Sequence, residues 1–176
     1  VYERLGWFCL LAVLLMYRLP RGHAMPEASR SDDLDAMRQL AHTPGDSSSL
    51  RELRAEGKKT ARERISQLLD KGSFVEVDSF VQHRAGDHNM HLHRPLGDGV
   101  VAGHGMIDGR RVVCFAQDYA VFSGTMGEMH AKKVAKVAEF AEKSQLPLIG
   151  IWDGDGQRVE EGVTSLSARQ GSYWIS

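Results

Sequence analysis

An α/β fold is what this 176-residue sequence predicts, and three observations carry it. Residues 112–116 (VVCFA) form an apolar strand-like run, 125–143 show helical periodicity, and 146–152 (LPLIGIW) are again short and apolar. Strand, helix and strand in that order make a crossover unit, which implies parallel strands joined by a right-handed connection. Upstream, Asp108-Gly109 between two apolar runs marks a hairpin, because both central positions of a tight two-residue turn want positive φ. A 42% hydrophobic content suffices for one substantial core.

Taken in order, the elements begin with an apolar run at residues 6–17 (GWFCLLAVLLMY), with Arg4 before it and Arg18 and Arg21 after. A stable membrane span needs about 20 apolar residues, so this run is too short for one. Residues 1–24 are best read as an over-extended start, with Met25 the natural beginning. An export leader ending near Gly22-His23-Ala24 and a membrane-associating helix are the alternatives. Residues 25–49 are polar and serine-rich, an arm with one weak helical patch at 34–40. From residue 50 to 176 the pattern is that of a folded domain.

Thr60 and Glu63 stand at capping-box spacing, in which each side chain takes the other's backbone N–H. Ile65, Leu68 and Leu69 follow at helical spacing and Gly72 offers a stop, predicting a helix over about 61–70. Residues 74–81 (FVEVDSFV) alternate as a strand. A histidine-rich loop follows at 82–93, then glycines at 97, 99, 103 and 105 that flank or interrupt strand residues. In the helix at 125–143, Met129, Val134, Val137, Phe140 and Ala141 form the apolar face, with lysines and glutamates toward water. The strand at 146–152 reads as buried, and more helix-like sequence follows the turn after it.

Composition narrows the function. A net charge of −1 gives no support for an electrostatic nucleic-acid binder, although a net figure averages away any local basic patch. Two cysteines, Cys9 and Cys114, far apart and in unlike surroundings, argue against a disulfide framework, are too few for a cysteine zinc ribbon, and suit a reducing compartment. His83, His88, His91 and His93 crowd one loop, but no acidic or cysteine partner sits at a metal-site spacing, so solvated loop histidines are the default and no metal is expected.

Residues 149–162 (IGIWDGDGQRVEEG) pose the main question: a short strand, a glycine-bearing turn, then a polar helix start. Asp153 and Asp155 begin like a calcium loop, but Gln157 and Arg158 occupy its fifth and sixth places. There is no Gly-Lys-Ser/Thr phosphate loop, no Gly-x-Ser-x-Gly elbow, and no dinucleotide fingerprint at the earlier glycines. Two readings of the turn stay open: a tight bend that simply needs glycine, and a set of N–H groups that receives an oxyanion.

Several segments together resemble a known family. They are KKTARERI at 58–65, LLDKGSF at 68–74, RPLGDGVV at 94–101, QDYAVFSG at 117–124, GEMHAKK at 127–133, RVEEGV at 158–163 and Ser165-Leu166. In this colinear order, over about residues 50–170, they resemble the N-terminal portion of the carboxyltransferase (β) subunit of biotin-dependent acyl-CoA carboxylases, propionyl-CoA carboxylase among them. The resemblance implies a crotonase-like fold of ββα units, here an incomplete N-terminal domain, in a cytoplasmic oligomer of homo- or hetero-subunits. It implies transfer of a carboxyl group from carboxybiotin, held on a separate carrier beside a biotin carboxylase, to the α-carbon of an acyl-CoA. The site would lie between the N-terminal domain of one subunit and the C-terminal domain of another, so this chain alone is expected to be inactive. No nucleic acid and no stable membrane span enter this picture. In the family the turn usually reads Asp-Ser-Gly-Gly-Ala-Arg; here DGDGQR at 153–158 puts Asp155 for the first glycine of the pair and Gln157 for the alanine. The resemblance thus implies an oxyanion-hole turn at Asp155, Gly156 and Gln157, with Phe122, Ser123, Gly124 and Arg158 on the substrate side. An ionised Asp155 pointing inward would oppose a developing enolate, whereas pointing outward it only has to tolerate the local backbone. The competing expectation is a truncated or degenerate copy that binds CoA or a partner subunit without catalysis.

Overall fold

The protein is described by a computed structural model over residues 27–43 and 45–166, so the apolar run at 6–17 lies outside the described residues. Contacts divide the chain into two units, 1–35 and 36–176. The described part of the first is the opening of helix α1 (Glu27–His42), exposed at 31–35. Helix α1 extends beyond the short patch expected at 34–40.

In the second unit, α2 (Ser47–Ala55) begins at Asp46, whose carboxylate accepts the N–H groups of Ser48 and Ser49. Helix α3 (Ala61–Leu68) carries the expected capping box: Thr60 Oγ1 accepts from Glu63 N at 3.2 Å and Glu63 Oε2 from Thr60 N at 2.9 Å. The strand expected at 74–81 shortens to β1 (Val75–Glu76). One further ladder bond follows, Val77 N to Ala102 O, and then Asp78 takes φ +55° and turns the chain out of the sheet.

Strands β2 (Val100–Ile107) and β3 (Arg110–Gln117) form the predicted hairpin, with Asp108 and Gly109 both at positive φ. A device invisible to the turn rule holds it shut, because the Asp70 carboxylate accepts both turn N–H groups at 3.0 and 2.9 Å. Helix α4 (Glu128–Ser144) then crosses to β4 (Leu148–Ile151), which runs parallel to β3 as the crossover pattern required. Sheet order is β1-β2-β3-β4, antiparallel except for the last pair. At the sheet's end β4 is half exposed rather than buried, and Trp152 beyond it is 52% exposed.

Alternation along β2 and β3 supplies two cores, one on each face. Val101, Val112, Cys114 and Ala116 meet Ala61, Ile65 and Leu69 of the α3 layer. Val100, Ala102, Val113 and Phe115 meet Val134, Val137 and Ala141 of α4. Burial on both faces is why these strands read as continuous apolar runs, a trait shared with parallel sheets. Among the described residues no helix is long and apolar enough to cross a membrane.

Two side chains depart from the expected helix face. Phe140 is 43% exposed, whereas Lys133, assigned to water, is 2% exposed. Lys133 Nζ donates to Val100 O at 2.7 Å and lies 4.0 Å from Glu76 Oε1. Burial drags its pKa down to about 8.

Candidate functional site

Beyond β3 the chain makes a tight 3₁₀ turn, Phe122–Gly124, in which all three residues have positive φ, at 50°, 51° and 65°. Left-handed geometry at Phe122 and Ser123 is costly for side-chain-bearing residues and persists only where the surroundings impose it. The imposing partner is the turn after β4. Asp155 N donates to Ser123 O at 3.1 Å, Met126 N to Gly156 O at 2.8 Å, and Arg158 N to Met126 O at 3.0 Å. Backbone approach is close enough to require glycine on both sides. A Cβ at Gly124 would sit 2.1 Å from Asp153 O, and one at Gly154 would sit 2.2 Å from Gly124 O. The sequence-predicted segments 122–124 and 153–158 are therefore one structural unit.

Within it, Gly154, Asp155 and Gly156 are exposed. The Asp155 N–H is spent on Ser123, while among the described residues those of Gly154 and Gly156 have no intramolecular acceptor. Gly156 takes φ +106°, open to glycine and strained for other residues. Asp155 has an ordinary negative φ, so it does not need the freedom of the glycine expected there. Its carboxylate accepts a hydrogen bond from Tyr119 Oη at 3.2 Å. Gln157 pairs with Met126 as a short parallel bridge and is half-buried; its Oε1 is buried without a donor among the described residues.

Arg158, expected on the substrate side, has a different place. Its guanidinium is 1% exposed and is spent on the protein itself, against the Asp98 carboxylate, Glu161 Oε1 at 2.8 Å and Thr125 O at 2.9 Å, while stacking 4.5 Å from the Phe122 ring. With one cation satisfying acceptors from three segments, Arg158 shapes the two turns from beneath and has no surface to offer a ligand.

Under the turns runs a chain of buried polar groups that sequence reasoning missed. Asp98 Oδ2 accepts the His130 N–H at 2.9 Å, and Asp98 O lies 3.2 Å from His130 Nδ1. His130 Nε2 faces Gln117 Nε2 at 3.5 Å, Gln117 Oε1 accepts Asp153 N at 2.8 Å, and the Asp153 carboxylate pairs with Arg64 of α3. Burial, helped by the nearby Arg158, pushes His130 down to about 3, so the ring is neutral. Burial pushes Asp98 upward, and the Arg158 cation opposes it. The signal was legible in principle, since His130, Val134, Val137 and Ala141 share one helical stripe, so His130 is on the buried face.

The loop histidines do not converge. Residues 90–92 form a 3₁₀ turn within the loop, and His88, His91 and His93 are exposed. His83 is buried, contrary to the solvated default, with Nε2 2.8 Å from His93 O and its ring edge-on to Phe122. It braces the strained turn. Among the described residues no three His, Cys, Asp or Glu side chains gather into a metal-binding group.

Comparison with known proteins adds an independent line. The carboxyl transferase domain family model matches residues 52–171. The biotin-dependent acetyl-/propionyl-coenzyme A carboxylase beta5 subunit of Mycobacterium tuberculosis is 48% identical over 139 residues, covering 79% of this chain and 25% of that protein. The propionyl-CoA carboxylase beta chain of Saccharopolyspora erythraea is 53% identical over 112 residues, 64% of this chain and 20% of that one. A transcarboxylase 12S structure, a hexamer with methylmalonyl-coenzyme A and methylmalonic acid bound, superposes with a TM-score of 0.82 at 35% identity, over 86% of this chain and 30% of its own. The chain thus spans about a quarter of the length of the curated relatives it matches. The fold is crotonase-like, and the four described strands form a partial sheet of it.

Proposed function

The chain belongs to the carboxyl transferase domain family, and from that premise we propose that it supplies part of the acyl-CoA half-site of an acyl-CoA carboxylase. The reaction moves a carboxyl group from carboxybiotin to the α-carbon of an acyl-CoA. One observation carries the assignment to this site: two glycine-dependent turns locked together, with the exposed Gly154 and Gly156 N–H groups lacking acceptors among the described residues. Removing the α-proton leaves an enolate whose oxygen must be met by fixed donors, and pre-set N–H groups stabilise such charge without reorganising. We assign that role to Gly156, within the turn formed with Asp155 and Gln157. Phe122, Ser123 and Gly124 form the facing wall, where the substrate lies. Arg158 and Asp98 hold both turns in place from below.

Biotin, carried on a separate protein, supplies the transferable carboxyl group; exposed N–H donors fit an oxygen anion of either reactant. The partners that follow are a biotin carrier with its biotin carboxylase, and further carboxyltransferase subunits that complete the site. A cytoplasmic setting follows from the acyl-CoA substrate class proposed for it.

The test uses the full-length protein with a carboxybiotinylated carrier and propionyl-CoA, following formation of the carboxylated thioester. Product formation that Gly124→Ala abolishes supports the assignment. Tight acyl-CoA binding with neither product nor α-proton exchange would establish the competing, non-catalytic reading.

A further inference from the structure

Asp155 puts a carboxylate in the turn whose amides are assigned to an oxyanion, and its surroundings show how that charge is managed. The main chain leaves it little freedom: Asp155 N is bonded to Ser123 O, and Gly156 O accepts Met126 N. Where the carboxylate points is therefore a matter of its side-chain rotamer. Tyr119, two residues past the end of β3, donates its phenol to Asp155 Oδ2 at 3.2 Å. Lys58, between α2 and α3, lies with Nζ 4.2 Å from the centroid of the same ring, and is itself paired with Glu56 at 2.9 Å. A cation over the ring face makes the phenol a stronger donor and adds positive potential beside the acid.

We propose that Tyr119, backed by Lys58, is a positioning residue that holds the Asp155 carboxylate aside from the oxyanion donor of Gly156. The inference rests on the carboxyltransferase reading of this site. Two negative charges a few ångströms apart at a protein surface repel appreciably, and the repulsion falls as their distance grows. Releasing the carboxylate from Tyr119 lets it approach the developing enolate, which weakens the transition state more than the ground-state complex, whose thioester oxygen is uncharged. The loss therefore falls on turnover rather than on substrate affinity.

The experiment follows carboxylation of propionyl-CoA from a carboxybiotinylated carrier by the full-length protein and three variants: Tyr119→Phe, Asp155→Gly, and the two combined. Tyr119→Phe is expected to lower kcat by about three- to tenfold with KM unchanged. In the Asp155→Gly background the same tyrosine substitution is expected to change nothing, because no carboxylate remains to be restrained. That dependence separates positioning from a general packing loss, which would persist in both backgrounds. Equal rates for the parent and Tyr119→Phe overturn the inference, as does a loss that survives in the Asp155→Gly background. A parent protein that carboxylates no propionyl-CoA overturns the carboxyltransferase reading and this inference with it.

Discussion

Asp98 and Asp155 are two acids serving one pair of turns, and they differ in almost every physical respect. Asp98 is fully buried, tied to Arg158 and to the His130 N–H, and lies beneath the turns. Asp155 is exposed on the rim, with the Tyr119 phenol as its recorded side-chain partner. The buried acid commits the fold to a geometry, because its desolvation is offset only while every partner stays in place. The rim acid costs the fold little and can act on what docks above it. Structure and chemistry are thus divided between two aspartates of opposite exposure.

Breaking the buried side has the largest expected effect. Arg158→Met leaves Asp98 in the interior without its cation, and a loss of about 3–5 kcal/mol in denaturant unfolding is expected. A loss under 1 kcal/mol would mean that Asp98 is not held as an ion. Next comes the seam between the turns. Gly124→Ala places a Cβ 2.1 Å from Asp153 O at φ +65°, so about 2–4 kcal/mol should be lost, with the site's activity lost too.

Lys133 extends the comparison to a buried cation whose ion pair, with Glu76, is 4.0 Å long. Its folded pKa is about 8, against 10.5 for an unperturbed lysine. At pH 7 the lysine is protonated in both states and its burial penalty is present in full. Between pH 8 and 10.5 the unfolded chain holds the proton that the folded chain has released, so stability rises with pH across that window. The gain reaches about 3 kcal/mol at its upper end. Lys133→Met should remove this rise; subtracting the variant's melting curve from the parent's isolates it, since other groups, Cys114 included, contribute to both. The smallest effect belongs to the rim. Asp155→Asn should leave the thermal midpoint where it was, because an exposed side chain is exchanged for another polar one, and a clear drop would show that Asp155 supports the fold after all.

Local rules recovered much of the fold. The Thr60–Glu63 box, the Asp108-Gly109 turn and the crossover through α4 involve interactions close in sequence or patterns with a fixed period, and all three are present. What escaped depends on residues far apart. The strand at 74–81 ended early because Asp78 turns left-handed, and Lys133 and His130 were hidden inside a helix whose surface they nominally suit by residue type. Arg158 illustrates the same limit at the site. Its motif placed it correctly in the turn, but only the meeting with Asp98, 60 positions upstream, shows that its guanidinium faces inward. The polar chain from Arg158 to Arg64 links five segments, and no spacing rule spans them.

Cys114 sits at the middle of the sheet, paired in register with Gly103 on one side and Ile149 on the other, at 0% exposure. Burial raises its pKa to about 11, so the native thiol is protonated as well as covered. Alkylation at neutral pH therefore has to wait until β3 separates from a neighbour. Followed by peptide mapping, the labelling rate of Cys114 becomes a clock for sheet opening, and slowing of that clock by acyl-CoA would report occupancy of the turns without any turnover.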